Sequence, residues 1–202
     1  MLLYASRQPY RNLLICSLGN PGHKYAKSRH SLGHILLDFL VADHHRQLER
    51  VHSPSLDGDL TEGISSLNTD LLSQRIALFK PCTYMNVSGM AIVNAWKWSQ
   101  KKYGQSSRLV ILHDELSLPV GKLKMKVGGS SKGHNGLKSI ATYIAPDQFT
   151  KCGIGIGRPD SRSPEVVADY VLRNIPPSDM TVIMDQVYPQ LWQILAKLEK
   201  GT

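Results

Sequence analysis

The sequence predicts an α/β fold: a single-domain three-layer sandwich with a mixed, mostly parallel sheet and helices on both faces. Three observations carry that expectation. Short apolar runs end in turn-forming residues, stretches with apolar side chains three and four residues apart lie between them, and the connections are short. Such alternation builds a sheet covered on both sides. A chain of 202 residues is long enough for one such domain with a substantial core.

The elements follow in order. Residues 13–18 read as a buried strand that stops at Gly19-Asn20-Pro21-Gly22, a turn sequence. From Leu32, apolar residues at 32, 35, 36, 39 and 40 predict an amphipathic helix to about residue 44, with Ser31 as its N-cap. Residues 52–69 are polar and rich in Ser, Asp and Gly, hence a loop with one weak strand near 58–64. Residues 75–79 form a strand ended by Pro81, since proline donates no ladder hydrogen bond. A helix is expected from near Asn86 to before Gly104, a strand over 109–112 leading into His113-Asp114-Glu115, and a half-wet strand over 122–127 where lysines alternate with apolar residues. A glycine-rich loop then precedes a helix over 137–145. Residues 149–156 are the last strand, and residues 179–200 are helical with an interruption at Pro189. Residues 1–11 are expected to be a flexible basic tail and 12–202 the folded domain; no repeat or interdomain linker divides it.

Charge narrows the function classes. A formal charge of +8 and a pI near 9.4 favour polyanionic partners, nucleic acid above all, although a solvated lysine surface has the same composition. No apolar run reaches the length that spans a bilayer, so no membrane partner is expected. Cys16, Cys82 and Cys152 are far apart and read as reduced packing residues, and a cytoplasmic or mitochondrial-matrix location follows as the expectation. Arg7 and Arg11, ahead of the first acidic residue Asp38, suit either a short presequence or a plain basic tail.

In open α/β sheets, ligands sit beyond the carboxyl ends of strands. Asn20, Asp114 and the loop bearing Asn86 all meet that placement. The chain has no GxSxG serine elbow and no cysteine in a histidine-rich setting, which leaves water as the nucleophile for a hydrolase. His30, oriented by Asp114, could activate it; a loop histidine and a strand-ending aspartate are the ordinary alternatives. Adjacent His44-His45 and His113-Asp114, with no HExxH or CxxC, argue against a metal. The segment Gly128-Gly129-Ser130-Ser131-Lys132-Gly133-His134 lacks the P-loop Lys-Ser/Thr, and Gly153, Gly155 and Gly157 miss the dinucleotide fingerprint, so no cofactor is expected. Asn20, Asn86 and Asn135 could grip a peptide backbone or a water without charge. Turn, cap and left-handed roles are the alternatives.

Five blocks occur in order: Leu18-Gly19-Asn20-Pro21-Gly22 with Lys24-Tyr25 and Arg29-His30; Pro81-x-Thr83-Tyr84-Met85-Asn86-x-Ser88-Gly89; His113-Asp114-Glu115-Leu116 with Leu118-Pro119-x-Gly121; Gly128-Gly129 with Gly133-His134-Asn135-Gly136-Leu137; and Gly153-Ile154-Gly155-Ile156-Gly157-Arg158-Pro159. Together, from about residue 13 to 196, they resemble the bacterial-type peptidyl-tRNA hydrolases. The resemblance implies a monomeric, cofactor-free esterase acting on peptidyl-tRNA, with His30 as general base and Asp114 orienting it. It further implies that Asn20, Tyr25, Tyr84, Met85, Asn86 and Asn135 bind the peptide and water, and that Lys124, Lys126, Lys132 and His134 meet the tRNA. Three departures stand out. Ser31 follows His30 where the family usually has asparagine, Lys151-Cys152-Gly153 replaces a segment with two arginines, and the chain ends soon after Leu198. A relative that binds RNA without hydrolysis, or a hydrolase of other aminoacyl or peptidyl esters, would be the rival; retention of His30 and Asp114 speaks against the first.

Overall fold

The computed structural model describes residues 12–43, 48–51, 53, 55–65, 74–104 and 107–199, and the expected N-terminal tail lies outside them. Its strands are β1 (Asn12–Ser17), β2 (Leu48–Val51), β3 (Gly58–Ser65), β4 (Gln74–Pro81), β5 (Ser107–Glu115), β6 (Leu123–Val127) and β7 (Phe149–Gly155). The helices are α1 (Leu32–Asp43), α2 (Ser88–Tyr103), α3 (Asn135–Ala141), α4 (Pro164–Leu172), α5 (Pro177–Val182) and α6 (Tyr188–Glu199). The strands form one sheet in the order β2-β3-β4-β1-β5-β7-β6.

The four central strands are parallel, and the antiparallel pairings lie toward the two edges. Burial explains the division. Each residue of β1 and β7 is buried, as a strand covered on both faces must be, whereas β6 keeps Lys124 and Lys126 exposed at an edge. Alternation along β1 sends Leu13 and Ile15 into a core shared with Leu32, Leu36 and Leu40 of α1 and with Leu191 of α6. It sends Leu14 and Cys16 into a second core with Ala91, Ile92 and Ala95 of α2 and Leu137 of α3. These two cores are the two interfaces of the expected three-layer sandwich.

Several local expectations need correction. Ser31 does not cap α1: a 3-10 turn over Arg29–Ser31 runs straight into the helix, so the helical path begins at Arg29. The helix expected over 137–145 starts at Asn135 and stops at Ala141, because Ala145 precedes Pro146 and must be extended (ψ 137°). The strand expected near 58–64 is present as β3, but β2 beside it was not expected, because its charged Glu49 and Arg50 hide a four-residue edge strand. Helix α4 was also missed, although Ser163 accepting from the Val166 N–H, Pro164 at the first turn and Glu165 behind it form a strong helix start. Cys82 is exposed rather than packed, since Pro81 ends β4 and places it on the way out. The interruption near Pro189 is a π-helical segment, Ile183–Val187, just before α6; Pro189 has no N–H to donate to the Asp185 carbonyl four residues back and its ring crowds that carbonyl, so the turn widens.

Candidate active site

The parallel strands β1, β4 and β5 all deliver their carboxyl ends to one side of the molecule, and a cleft of about 700 Å³ opens there. Strand β5 continues past the expected residue 112 to Glu115, so Asp114 is held in ladder register beside Ile154 of β7 and cannot swing as a loop residue would. The short loop after β1 brings Asn20 and His30 to the same cleft. That loop is stitched down by α4 and the region after it: the Arg29 N–H donates to Arg173 O at 3.0 Å, Ile175 N–H to Lys27 O at 2.9 Å, and the Arg29 guanidinium lies 4.2 Å from the centre of the Tyr170 ring.

His30 and Asp114 meet. The Nδ1 of His30 lies 2.9 Å from Asp114 Oδ1, with the histidine 9% and the aspartate 3% exposed. Burial alone would raise the carboxyl, but the neighbouring His134 and His30, with the hydrogen bonds they donate, hold it well below the usual carboxylate range. An ionised carboxylate only accepts, so His30 carries its proton on Nδ1 and Nε2 is left as a base. Burial pulls the His30 imidazole down while the charge and hydrogen bond of Asp114 push it up; the carboxylate prevails, and His30 stands above its ordinary value. His134 occupies the other side of the same oxygen, with Nε2 2.9 Å from Asp114 Oδ1.

Asn20 is pinned at two points. Its Oδ1 accepts the Met85 N–H at 2.9 Å, and its own N–H donates to the Ser31 hydroxyl at 3.1 Å. The first bond orients the side chain so that the amide NH₂ remains for a ligand; the second accounts for Ser31, which is buried and also lies 3.1 Å from the Ser28 hydroxyl. Met85 is buried, with its sulfur packed where a Cβ on Gly136 would come within 2.5 Å, and Tyr84 beside it is 58% exposed. Tyr25, Tyr84, Met85, Asn86 and Asn135 all line the cleft, as do Lys132 and His134.

The chain matches the peptidyl-tRNA hydrolase sequence family over residues 14–201. It is 37% identical over 172 residues to the peptidyl-tRNA hydrolase of Moorella thermoacetica, covering 85% of this chain and 83% of that one. The chain belongs to the peptidyl-tRNA hydrolase family. A further relative, from Solidesulfovibrio magneticus, is 37% identical over 193 residues, covering 93% and 88% of the two chains. The crystal structure of peptidyl-tRNA hydrolase from Acinetobacter baumannii superposes with a TM-score of 0.77 at 29% identity, across 97% of this chain and 92% of that one.

In this member of the peptidyl-tRNA hydrolase family, Lys124 and Lys126 lie outside the main cleft. They line a smaller cavity beside it together with Lys132, Ser130 and Lys151. The two spaces share His113, Glu115, Ser131 and Lys132 in their walls. Lys151 is largely buried and donates to Gly129 O at 2.9 Å and Ser130 O at 3.0 Å, so it holds the glycine-rich loop in place. Burial and the nearby Lys126 and Lys132 push its ammonium below the ordinary lysine value. Lys132 itself has φ +48°, a left-handed conformation between Ser131 and Gly133.

Sequence reasoning missed one wall of the cleft. Val167, Ala168, Val171 and Leu172 of α4 line it, with Arg158 and Arg162 ahead of them. Missing the helix removed the wall with it; the Ser163-Pro164 start was the available signal. His30, Asp114 and His134 are the group whose donor atoms converge, all within 4.8 Å of one another. Both nitrogens that face the carboxylate bear hydrogens, so the cluster works as two donors on one acceptor.

Proposed function

We propose that the chain hydrolyses the ester between a peptide, or an N-blocked amino acid, and the 3′ end of tRNA, using water activated by His30. The observation that carries this reading is the buried His30–Asp114 hydrogen bond of 2.9 Å at the wall of the cleft. His30 Nε2 takes a proton from water as the oxygen attacks the ester carbonyl. The tetrahedral oxyanion is met by side-chain amide hydrogens of Asn86 or Asn20, neutral donors suited to a charge that develops only during reaction. Collapse breaks the bond to the ribose 3′-oxygen, which receives the proton from the His30 imidazolium. The products are a peptide carboxylate and a tRNA with a free 3′-hydroxyl.

Asp114 holds the imidazole in the required tautomer and stabilises its protonated form. Asn135, Tyr25, Tyr84 and Met85 form walls with no formal charge, which admit many peptide sequences, while Lys124, Lys126 and Lys132 supply affinity for phosphates independent of base identity. One chain contains every group used, and a monomer suffices. Such an enzyme recycles tRNA from stalled or aborted translation, in the cytoplasm or the mitochondrial matrix.

The test is release of the acyl group from an N-blocked aminoacyl-tRNA, with and without EDTA, by wild type and His30→Ala. Wild-type activity that survives EDTA and a nearly inactive variant are expected. Wild-type turnover in His30→Ala would remove the histidine mechanism, and an inactive wild type would leave an RNA-binding relative. Replacing the tRNA body by a minimal aminoacyl ester should cut kcat/KM sharply; an unchanged value would point to a broader esterase.

A further inference from the structure

The family resemblance places His134 among the tRNA contacts, yet its geometry is that of a different role. The side chain is only 9% exposed. Its Nδ1 accepts the Leu137 N–H at 3.3 Å, capping α3, and a nitrogen that accepts from an amide cannot carry a hydrogen. The proton is therefore on Nε2, which donates to Asp114 Oδ1 at 2.9 Å. Both ring nitrogens are thus in use, and none is left to meet a phosphate unless the Asp114 bond is broken. Its ring stands 4.9 Å from that of His30 and 5.2 Å, edge-on, from that of His113.

We propose that His134 is a positioning residue for the catalytic pair: it donates to the same Asp114 oxygen that receives His30, fixing the carboxylate while limiting how strongly it draws a proton onto His30. This rests on His30 being the base. Two donors on one oxygen hold the carboxylate against rotation and share its charge, so each feels less of it than a lone partner would. A base must be neutral to act, and a carboxylate with only one partner would keep His30 protonated to higher pH. The surrounding charged groups do not duplicate this service. From β5, His113 turns its Nδ1 to the Asp114 carbonyl at 2.8 Å, and Glu115 is engaged by Ser117 and by Lys132 at 3.5 Å.

The experiment compares His134→Asn and His134→Gln with wild type in the full chain. Asparagine can still cap α3 but is too short to reach Asp114, whereas the glutamine amide can present an N–H near the place of Nε2. Thermal unfolding identifies a variant that fails to fold, and the folded variant of the two is then read alone against wild type. Release from N-blocked aminoacyl-tRNA is followed from about pH 5.5 to 8.5 at two salt concentrations. For His134→Asn the expected result is a roughly tenfold fall in kcat, with the acid limb of kcat moved upward by about half a unit or more, and KM and its salt dependence unchanged. Recovery of most of kcat is expected in His134→Gln. A raised KM with a weaker salt dependence and an unmoved acid limb would overturn the proposal in favour of a tRNA contact; unchanged kcat and pH profile would reduce His134 to a helix cap. Wild-type turnover in His30→Ala would instead defeat the mechanism on which the proposal rests, and is read separately.

Discussion

The main cleft and the small cavity beside it share a wall, yet they are built on opposite principles. The cleft around His30 and Asp114 is organised by buried hydrogen bonds between side chains, each with a fixed donor and acceptor. The neighbouring cavity is organised by backbone: the strand alternation that keeps Lys124 and Lys126 outward, and the glycine-rich loop clamped by Lys151. A hydrogen-bonded chamber responds to protons, and a chamber of exposed ammonium groups responds to salt. Chemistry and affinity should therefore be separable by solution conditions.

The largest test of that separation is His30→Ala, expected to lower kcat by about 10² to 10⁴-fold with little change in KM, measured by steady-state release from N-blocked aminoacyl-tRNA. Asp114→Asn should come next. Removing the charge that raises His30 lets burial dominate, so the acid limb of kcat moves to lower pH even as the plateau falls at least about tenfold. Lys126→Ala should leave kcat alone and raise KM severalfold at low salt, an effect that shrinks as salt is added; a fall in kcat instead would merge the two chambers into one.

Acid stability gives the smallest effect and a control. His34 is pushed down to about 3, first by burial and then by the charge of Lys80, and His113 to about 4, first by burial and then by His134. Between those values and the ordinary histidine range the unfolded chain binds more protons than the folded one, so stability falls as pH drops from 7 toward 5. Each histidine contributes up to ~2 kcal/mol of that loss. His30 has the opposite sign, since its raised value favours the fold below the ordinary histidine range and that benefit fades as pH rises through the raised value. Thermal melts at pH 7 and 5 should show a lower Tm at pH 5, and His34→Gln should flatten the dependence. No flattening would mean that the ring is not held neutral.

What the sequence made legible follows the same division. Strand cores, and residues at strand ends and turns such as Asn20, His30 and Asp114, could be placed because their neighbours carry strong turn and apolar signals. The partners of those residues could not, since the Asn20–Ser31 and His134–Asp114 bonds join positions 11 and 20 residues apart whose meeting depends on the packed loops. Helix α4 was lost for a different reason: at nine residues it is short, and its apolar Val167, Ala168, Val171 and Leu172 line an open cleft instead of filling a core, so only its Ser163-Pro164 start marked it. Edge strand β2 failed likewise, its charged pair masking the pattern that burial writes into central strands.

Strand β5 carries one more implication. His113 and Asp114 are consecutive, and they serve different spaces: Asp114 faces His30 in the cleft, while His113 lines the lysine cavity as well. Consecutive Cα atoms are a fixed ~3.8 Å apart. The backbone thus ties the wall of the cleft to the wall of the lysine cavity, and neither can slide against the other. Under the proposed function, a substrate reaching both spaces would be gauged by the span between its ester and its phosphates, a selection by length that needs no side chain of its own.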